Sequence, residues 1–231
     1  MAPDISYVKF WRVFRERVGR QASPHQVTMK RFFKASGKNI TVLIVLFLSA
    51  LVRQGETAEK TAVSMNLPGL QTGAAPWSAE IPNLLPRLNA IKLPALSAEG
   101  TTLHIHQHLD ILINGKPVTV SSGIGINEFA GFISPLHTHD LTGEIHVESD
   151  EVRDFTLGQF FDVWGLRFTQ SCIGSYCADG THSLRVYSNG NPVSGDPRML
   201  LLSPRQEIAI VYGPAKTKPT VPSSYRFPPG M

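Results

Sequence analysis

From Leu103 onward apolar and polar residues alternate, with Leu103, Ile105, Leu109, Ile111 and Ile113 on one side of an extended chain and His104, His106, His108 and Asp110 on the other. Side chains two apart on a strand share a face, so this pattern predicts a half-buried strand whose polar face carries a whole histidine run. Asn114-Gly115 is a strong two-residue hairpin signal, and Lys116 to Val120 returns beside the first strand. The same layout of strand, Asn-Gly and x-Pro-Val recurs from Leu184 to Val193, predicting a second hairpin of one type. Gln206 to Tyr212 reads as a closing strand, Ile208 and Ile210 facing opposite Ala209 and Val211. The period changes at Thr156-Leu157-Gly158-Gln159, which fits a capping box. Phe160, Phe161, Val163 and Trp164 then give a short apolar helix stopped at Gly165, its aromatics belonging to the core. Strands dominate and one helix packs on them. The predicted fold is a β-rich α+β domain of antiparallel hairpins with one short helix, β-grasp-like or a small barrel, flanked by Pro-rich extensions.

The folded unit is read as 101–213. In 59–100 the prolines at 68, 76, 82, 86 and 94 oppose a long helix or a central strand, while Leu84, Leu85, Leu88, Leu93 and Leu96 argue that part of the segment packs. This predicts a tether whose second half lies along the domain. Residues 214–231 contain five prolines and read as an extended tail anchored by Tyr225 and Phe227.

Ahead of these, 29–58 has the layout of an export signal. Met29-Lys30-Arg31-Phe32-Phe33-Lys34 with Lys38 is a positive start, and Ile40 to Val52 an apolar run. That run is shorter than the roughly 20 residues a spanning helix needs, which favours a signal peptide over an N-terminal membrane anchor. No small-x-small cleavage site follows it cleanly. In 1–28, Tyr7, Val8, Phe10, Trp11, Phe14 and Val18 interleave with Lys9, Arg12, Arg15, Arg17 and Arg20. This segment is either a basic amphipathic helix suited to an anionic membrane or is not translated, Met29 being the start.

The net charge of +4 and pI of about 9.2 suggest a polyanion partner until the charges are located. Residues 1–58 hold ten Lys/Arg against three Asp/Glu, whereas 59–231 hold twelve against fifteen, so the body carries −3 and offers phosphates no cationic face. Nucleic acid is excluded as a partner. No nucleotide fingerprint, Gly-rich phosphate loop or Ser/His/Asp order supports a nucleotide-binding or hydrolase reading. Export also frames the two cysteines: Cys172-Ile173-Gly174-Ser175-Tyr176-Cys177 predicts a local disulfide across a tight turn, with metal ligation by the pair as the alternative.

Six of the eight histidines lie between His104 and His146. The second group, Pro135-Leu136-His137-Thr138-His139 and Glu144-Ile145-His146-Val147-Glu148, flanks Asp140-Leu141-Thr142-Gly143, whose composition suits a hairpin loop. With those residues as the loop, His139 opposes Glu144, His137 opposes His146 and Pro135 opposes Glu148. Cross-strand partners lie roughly 5 Å apart on one face. The ligand candidates are therefore His104, His106, His108, His137, His139, His146, Glu144 and Glu148. Imidazole and carboxylate suit Zn²⁺ or Cu²⁺ first, and Fe²⁺ or Ni²⁺ also. Met65, Met199 and Met231 are too few and too scattered for a thioether copper(I) site. Asp110, Asp140 and Glu128 are candidates to orient the imidazoles from behind. The competing reading is a solvated polar strand face with no ion. His25 and His182 have no such company and read as structural or incidental.

Gly131, His137-Thr138-His139 and Glu144 resemble the opening of the first cupin motif, a resemblance that implies His137, His139 and Glu144 as metal ligands inside a β-barrel. Glu151 stands where that motif has glycine, and no second motif follows. His106-Gln107-His108-Leu109-Asp110, Leu136-His137-Thr138-His139-Asp140 and Phe155-Thr156-Leu157-Gly158-Gln159-Phe160-Phe161 resemble phrases of uncharacterised exported His-rich bacterial proteins, a resemblance that implies export and supplies no function. The chain thus reads as an exported protein, periplasmic, extracellular or membrane-anchored, that binds a transition metal through histidines on strands. The alternatives are a cupin-like metalloenzyme with an open coordination position, and a cell-envelope interaction module whose histidines sense pH.

Overall fold

The computed structural model describes residues 66–229. The segments 1–28 and 29–58, the start of 59–100 and the last two residues lie outside them. Among the described residues no helix is long and apolar enough to cross a membrane.

The sheet is organised around β1 (Leu103–Ile113), the alternating strand. Asn114 and Gly115 take the left-handed conformation (φ 51° and 78°) that a two-residue hairpin of this kind requires, and β2 (Lys116–Val118) returns along the distal half of β1. Two small antiparallel pieces follow, β3 (Ile126–Asn127) and β4 (Phe132–Ile133). Next come β5 (Leu136–His137) and β6 (Glu144–Ser149), the latter running antiparallel to the proximal half of β1. After the helical segment and a short hairpin of β7 (Cys172–Ile173) and β8 (Tyr176–Cys177), β9 (His182–Ser188) turns through Asn189-Gly190 into β10 (Asn191–Pro192). The φ values of that turn, 50° and 77°, repeat those of the first hairpin, as the matching sequence predicts.

β11 (Gln206–Pro214) then inserts between β9 and β1, antiparallel to the former and parallel to the latter, with Gln107 opposite Gln206 and Ile113 opposite Tyr212. The order is β10-β9-β11-β1-β6-β5, with β2 also on β1. Within it, β2-β1-β11-β9, with the first and last strands parallel at the centre, is the β-grasp order. The sheet is open, with β10 and β5 at its ends, so the small-barrel version of the expectation does not form.

Among the described residues two α-helices, where the sequence predicts one in the domain, cover a single face. The helix α2 (Leu157–Trp164) carries both halves of its capping box: the Thr156 side chain accepts from the Gln159 amide and the Gln159 side chain accepts from the Thr156 amide. Gly165 ends it at φ 70°. Phe160, Phe161, Val163 and Trp164 are fully buried with Leu109, Ile111, Ile145, Val147, Ile208 and Ile210, the inward set of β1, β6 and β11. The unforeseen helix, α1 (Leu84–Ile91), forms inside the Pro-rich segment because Pro86 sits in its first turn, where backbone N–H groups have no intrahelical acceptor to lose. It buries Leu84 and Leu88. Its Arg87, fully buried, donates to the Val163 carbonyl near the end of α2 and pairs with Glu80, so the two helices are joined by a satisfied charge.

The opposite face carries the even-numbered residues of β1. It is roofed at one end by the chain beyond β11. The Arg185 guanidinium holds the Pro214 and Thr217 carbonyls, Tyr225 stacks on the His108 ring (centroids 3.8 Å apart, 3° between planes), and Phe227 is buried beneath Arg205. This second layer explains why β11 is buried on both faces through Gly213.

Candidate metal centre

The strand registers bring the two histidine groups together. His106 on β1 lies opposite His146 on β6, and His146 lies opposite His137 on β5, so three imidazoles from three strands stand in one row. One step along, His104 lies opposite Glu148, whose backbone N–H donates to the Pro135 carbonyl. The sequence-predicted pairings of His137 with His146 and of Pro135 with Glu148 are those the hairpin uses.

Donor atoms meet in this row. His106 Nε2 is 3.1 Å from His104 Nε2 and 3.1 Å from His146 Nδ1, and Glu148 Oε1 is 3.1 Å from both His146 Nδ1 and His104 Nε2. His137 Nε2 is 3.2 Å from His139 Nε2. Two donors bound to one ion by bonds of about 2.0–2.1 Å stand roughly 2.8–3.4 Å apart, from the edge of an octahedron to that of a tetrahedron. The spacing therefore fits a shared ion. Among the described residues four groupings have donors within 4.8 Å of one another: His104, His106, His146 and Glu148; His137, His139 and His146; Glu99, His137 and Glu148; and His108, Asp110 and Glu207.

A polar set this buried needs partners. His106, His137, His146 and Glu148 are each at most 7% exposed, and Glu148 Oε2 has no hydrogen-bond partner at all. His137 is oriented from behind: a carbonyl can only accept, so its Nδ1–H donates to Ser134 O at 3.0 Å and Nε2 keeps its lone pair for the cluster. Burial, reinforced by neighbouring imidazoles, holds the His106 ring at about 4. Burial likewise holds His137 at about 4, against an ordinary 6.5, so both rings are neutral and ready to ligate. Glu148 goes the other way. Its burial would raise its pKa, but the His146 hydrogen bond and the surrounding imidazoles outweigh that and lower it, keeping a carboxylate.

Three of the sequence-predicted ligands stand outside the row of His106, His146 and His137, although His108 and His139 each belong to a donor grouping. His108, on the same face, is not in the cluster. Its Nδ1 faces Glu207 Oε2 at 2.8 Å and its Nε2–H donates to the Thr142 carbonyl at 2.9 Å, so both nitrogens are engaged. Burial works against its charge, yet Glu207, Asp110 and Thr142 prevail and raise its pKa, favouring the charged ring beside the Glu207 carboxylate. Glu144 lies opposite His108, next to the Tyr225 hydroxyl, and joins no grouping with His137, His139 or His146. His139 does not oppose Glu144. The strand leaves the sheet after His137 because the Thr138 backbone pairs with Gly123 and Ile124, and its hydroxyl donates to Ser121 O. His139 therefore projects from a loop, its side chain 43% exposed, beside a shallow depression lined also by Ser122, Asp140, Leu141 and Thr142.

Of the expected supports, Asp110 stands 3.8 Å from His108, Asp140 caps its own loop through Thr142, and Glu128 is exposed. Two participants escaped the sequence reading. Glu99, 3.3 Å from His139 Nε2, lies before β1 in a stretch with no periodic signal. Glu207 was legible in principle, since it shares the alternation of Ala209 and Val211 and so the histidine face. Cys172 and Cys177, directly opposite on β7 and β8, are at disulfide distance and belong to no metal grouping. His182 stacks on Tyr212 away from the other imidazoles. No protein-family model matches the chain, and no curated protein or solved structure is significantly similar to it.

Proposed function

We propose that this is an exported protein that binds a divalent transition ion, Zn²⁺ or Cu²⁺, through His104 Nε2, His106 Nε2, His146 Nδ1 and Glu148 Oε1. The observation that carries the reading is the meeting of these donors at 3.1 Å, with one oxygen of a buried carboxylate left without a hydrogen-bond partner. Three imidazoles and a carboxylate match ions of borderline character, and none of the groupings contains sulfur, which argues against a copper(I) carrier. Neutral buried rings favour the same conclusion, since ligation needs the lone pair. The cysteine pair at bonding distance is compatible with an oxidising compartment, and the positive-then-apolar layout of 29–58 supports export. The test is elemental analysis of the full chain purified without an affinity tag, followed by calorimetric titration with Zn²⁺ and Cu²⁺. Binding tighter than micromolar, abolished by His106→Ala with His146→Ala, is expected. Affinity no better than that of a scrambled peptide of the same composition would reject the reading.

A further inference from the structure

The cluster has more donors than one ion can use, and they form overlapping sets that meet at His146 and Glu148. His104, His106, His146 Nδ1 and Glu148 Oε1 form one set on the β1–β6 side. On the β5 side, His137 Nε2 and His139 Nε2 stand 3.2 Å apart, Glu99 Oε1 lies 3.3 Å from His139, and the second oxygen of Glu148, Oε2, lies 3.9 Å from His137. Glu99, His137 and Glu148 are a donor grouping without any residue of the first set except Glu148 itself. Glu148 thus stands between the two sets with one oxygen directed to each. The oxygen on the β5 side is the one that is buried without a hydrogen-bond partner, in a side chain 3% exposed. A buried carboxylate oxygen facing an imidazole lone pair is costly unless a cation lies near both.

We infer that the centre is dinuclear, with Glu148 bridging two divalent ions and Glu99 and His139 completing the second site from outside the sheet. This rests on the single-ion reading above and extends it. The two sites differ in kind. The first is built on paired strands and is largely buried, although His104 is half exposed. The second takes two of its four donors from loops, with side chains 43% and 52% exposed. The second site should therefore bind more weakly and exchange first, its rigidity being lower.

Stoichiometry separates this inference from the one beneath it. The full chain, loaded with Zn²⁺ and freed of excess by gel filtration, is expected to hold two ions by elemental analysis. Glu99→Gln and His139→Ala, both at exposed side chains and checked for folding by circular dichroism, are expected to hold one, with the tighter calorimetric phase shifted less than about 3-fold. No ion in the wild type would overturn the metal-binding reading itself. One ion would leave that reading standing and overturn the second site, as would two ions retained in both variants. Loading with two equivalents of Cu²⁺ tests the bridge: exchange coupling should remove electron paramagnetic resonance intensity relative to total copper, and Glu99→Gln at one equivalent should restore it. Full intensity in the doubly loaded wild type would overturn the bridging role of Glu148.

Discussion

Glu148 and His108 lie on one face of one sheet, and their partners give them different roles. Glu148 has an oxygen with no donor beside it, while both nitrogens of His108 are engaged. Two predictions belong at this scale. His146→Ala should weaken Zn²⁺ binding by more than the roughly 10–100-fold that loss of an outer supporting group costs, whereas His108→Ala should leave it within about 3-fold. Titration calorimetry of the two variants decides it, and equal losses would return His108 to the ligand set. The second concerns pH in the chelator-treated protein. The unfolded chain takes up protons at His106 and His137 as pH falls through 6.5, the native chain only near 4, so stability at these positions is lost between those values. His108 has the opposite sign, its raised pKa giving stability that is complete below 6.5 and lost as pH rises through the folded value. Glu207, raised chiefly by burial, shares the sign of His108, but the two rings carried down to about 4 have the larger shifts, so the urea midpoint should be lower at pH 5 than at pH 7. Added Zn²⁺ should widen the gap, because protons and the ion compete for the same lone pairs.

At the scale of elements, what was legible in the chain is what local chemistry determines. The alternation of β1, the two Asn-Gly turns and the Thr156–Gln159 capping box each involve neighbours a few residues apart, and each appears as the sequence predicts. The cross-strand pairing of His137 with His146 was also legible, because loop composition sets a hairpin's register. His139 was not, since the departure of the chain depends on backbone bonds from Thr138 to Gly123 and Ile124, which no spacing near His139 announces. The pairing that draws His108 away from the row is made by Glu207, ninety-nine residues away. Helix α1 was hidden by a rule about prolines that does not apply to a first turn. Removing the N-cap in Thr156→Ala should cost about 1 kcal/mol in chemical denaturation. Gly125→Ala should cost more than the ~1–2 kcal/mol of a left-handed non-glycine residue. Gly125 is at φ 76° and an added Cβ would collide with the Leu136 carbonyl. Because that carbonyl belongs to β5, the same variant should also weaken metal binding by displacing His137.

For the whole molecule, the two faces of the sheet do different work. One is an apolar, aromatic-rich layer under α1 and α2, and the other holds the imidazoles, with the chain beyond β11 laid over the His108 end. Tyr225→Ala should therefore lower the thermal midpoint by a few degrees through loss of an aromatic contact worth about 1 kcal/mol, while Zn²⁺ affinity stays within about 3-fold. A matching loss of affinity would show that the tail holds the ligands in place.

The parallel pairing of β1 with β11 has a temporal side. Because Gln107 waits for Gln206, a chain emerging amino end first exposes its histidine-bearing strand long before the neighbour that completes it arrives. Contacts so distant along the chain form slowly. In that interval one edge of β1 is an unprotected template for a second copy, and ions caught early by its imidazoles would hold the wrong partners together, so yields on refolding should improve when chelator is present and metal is added last.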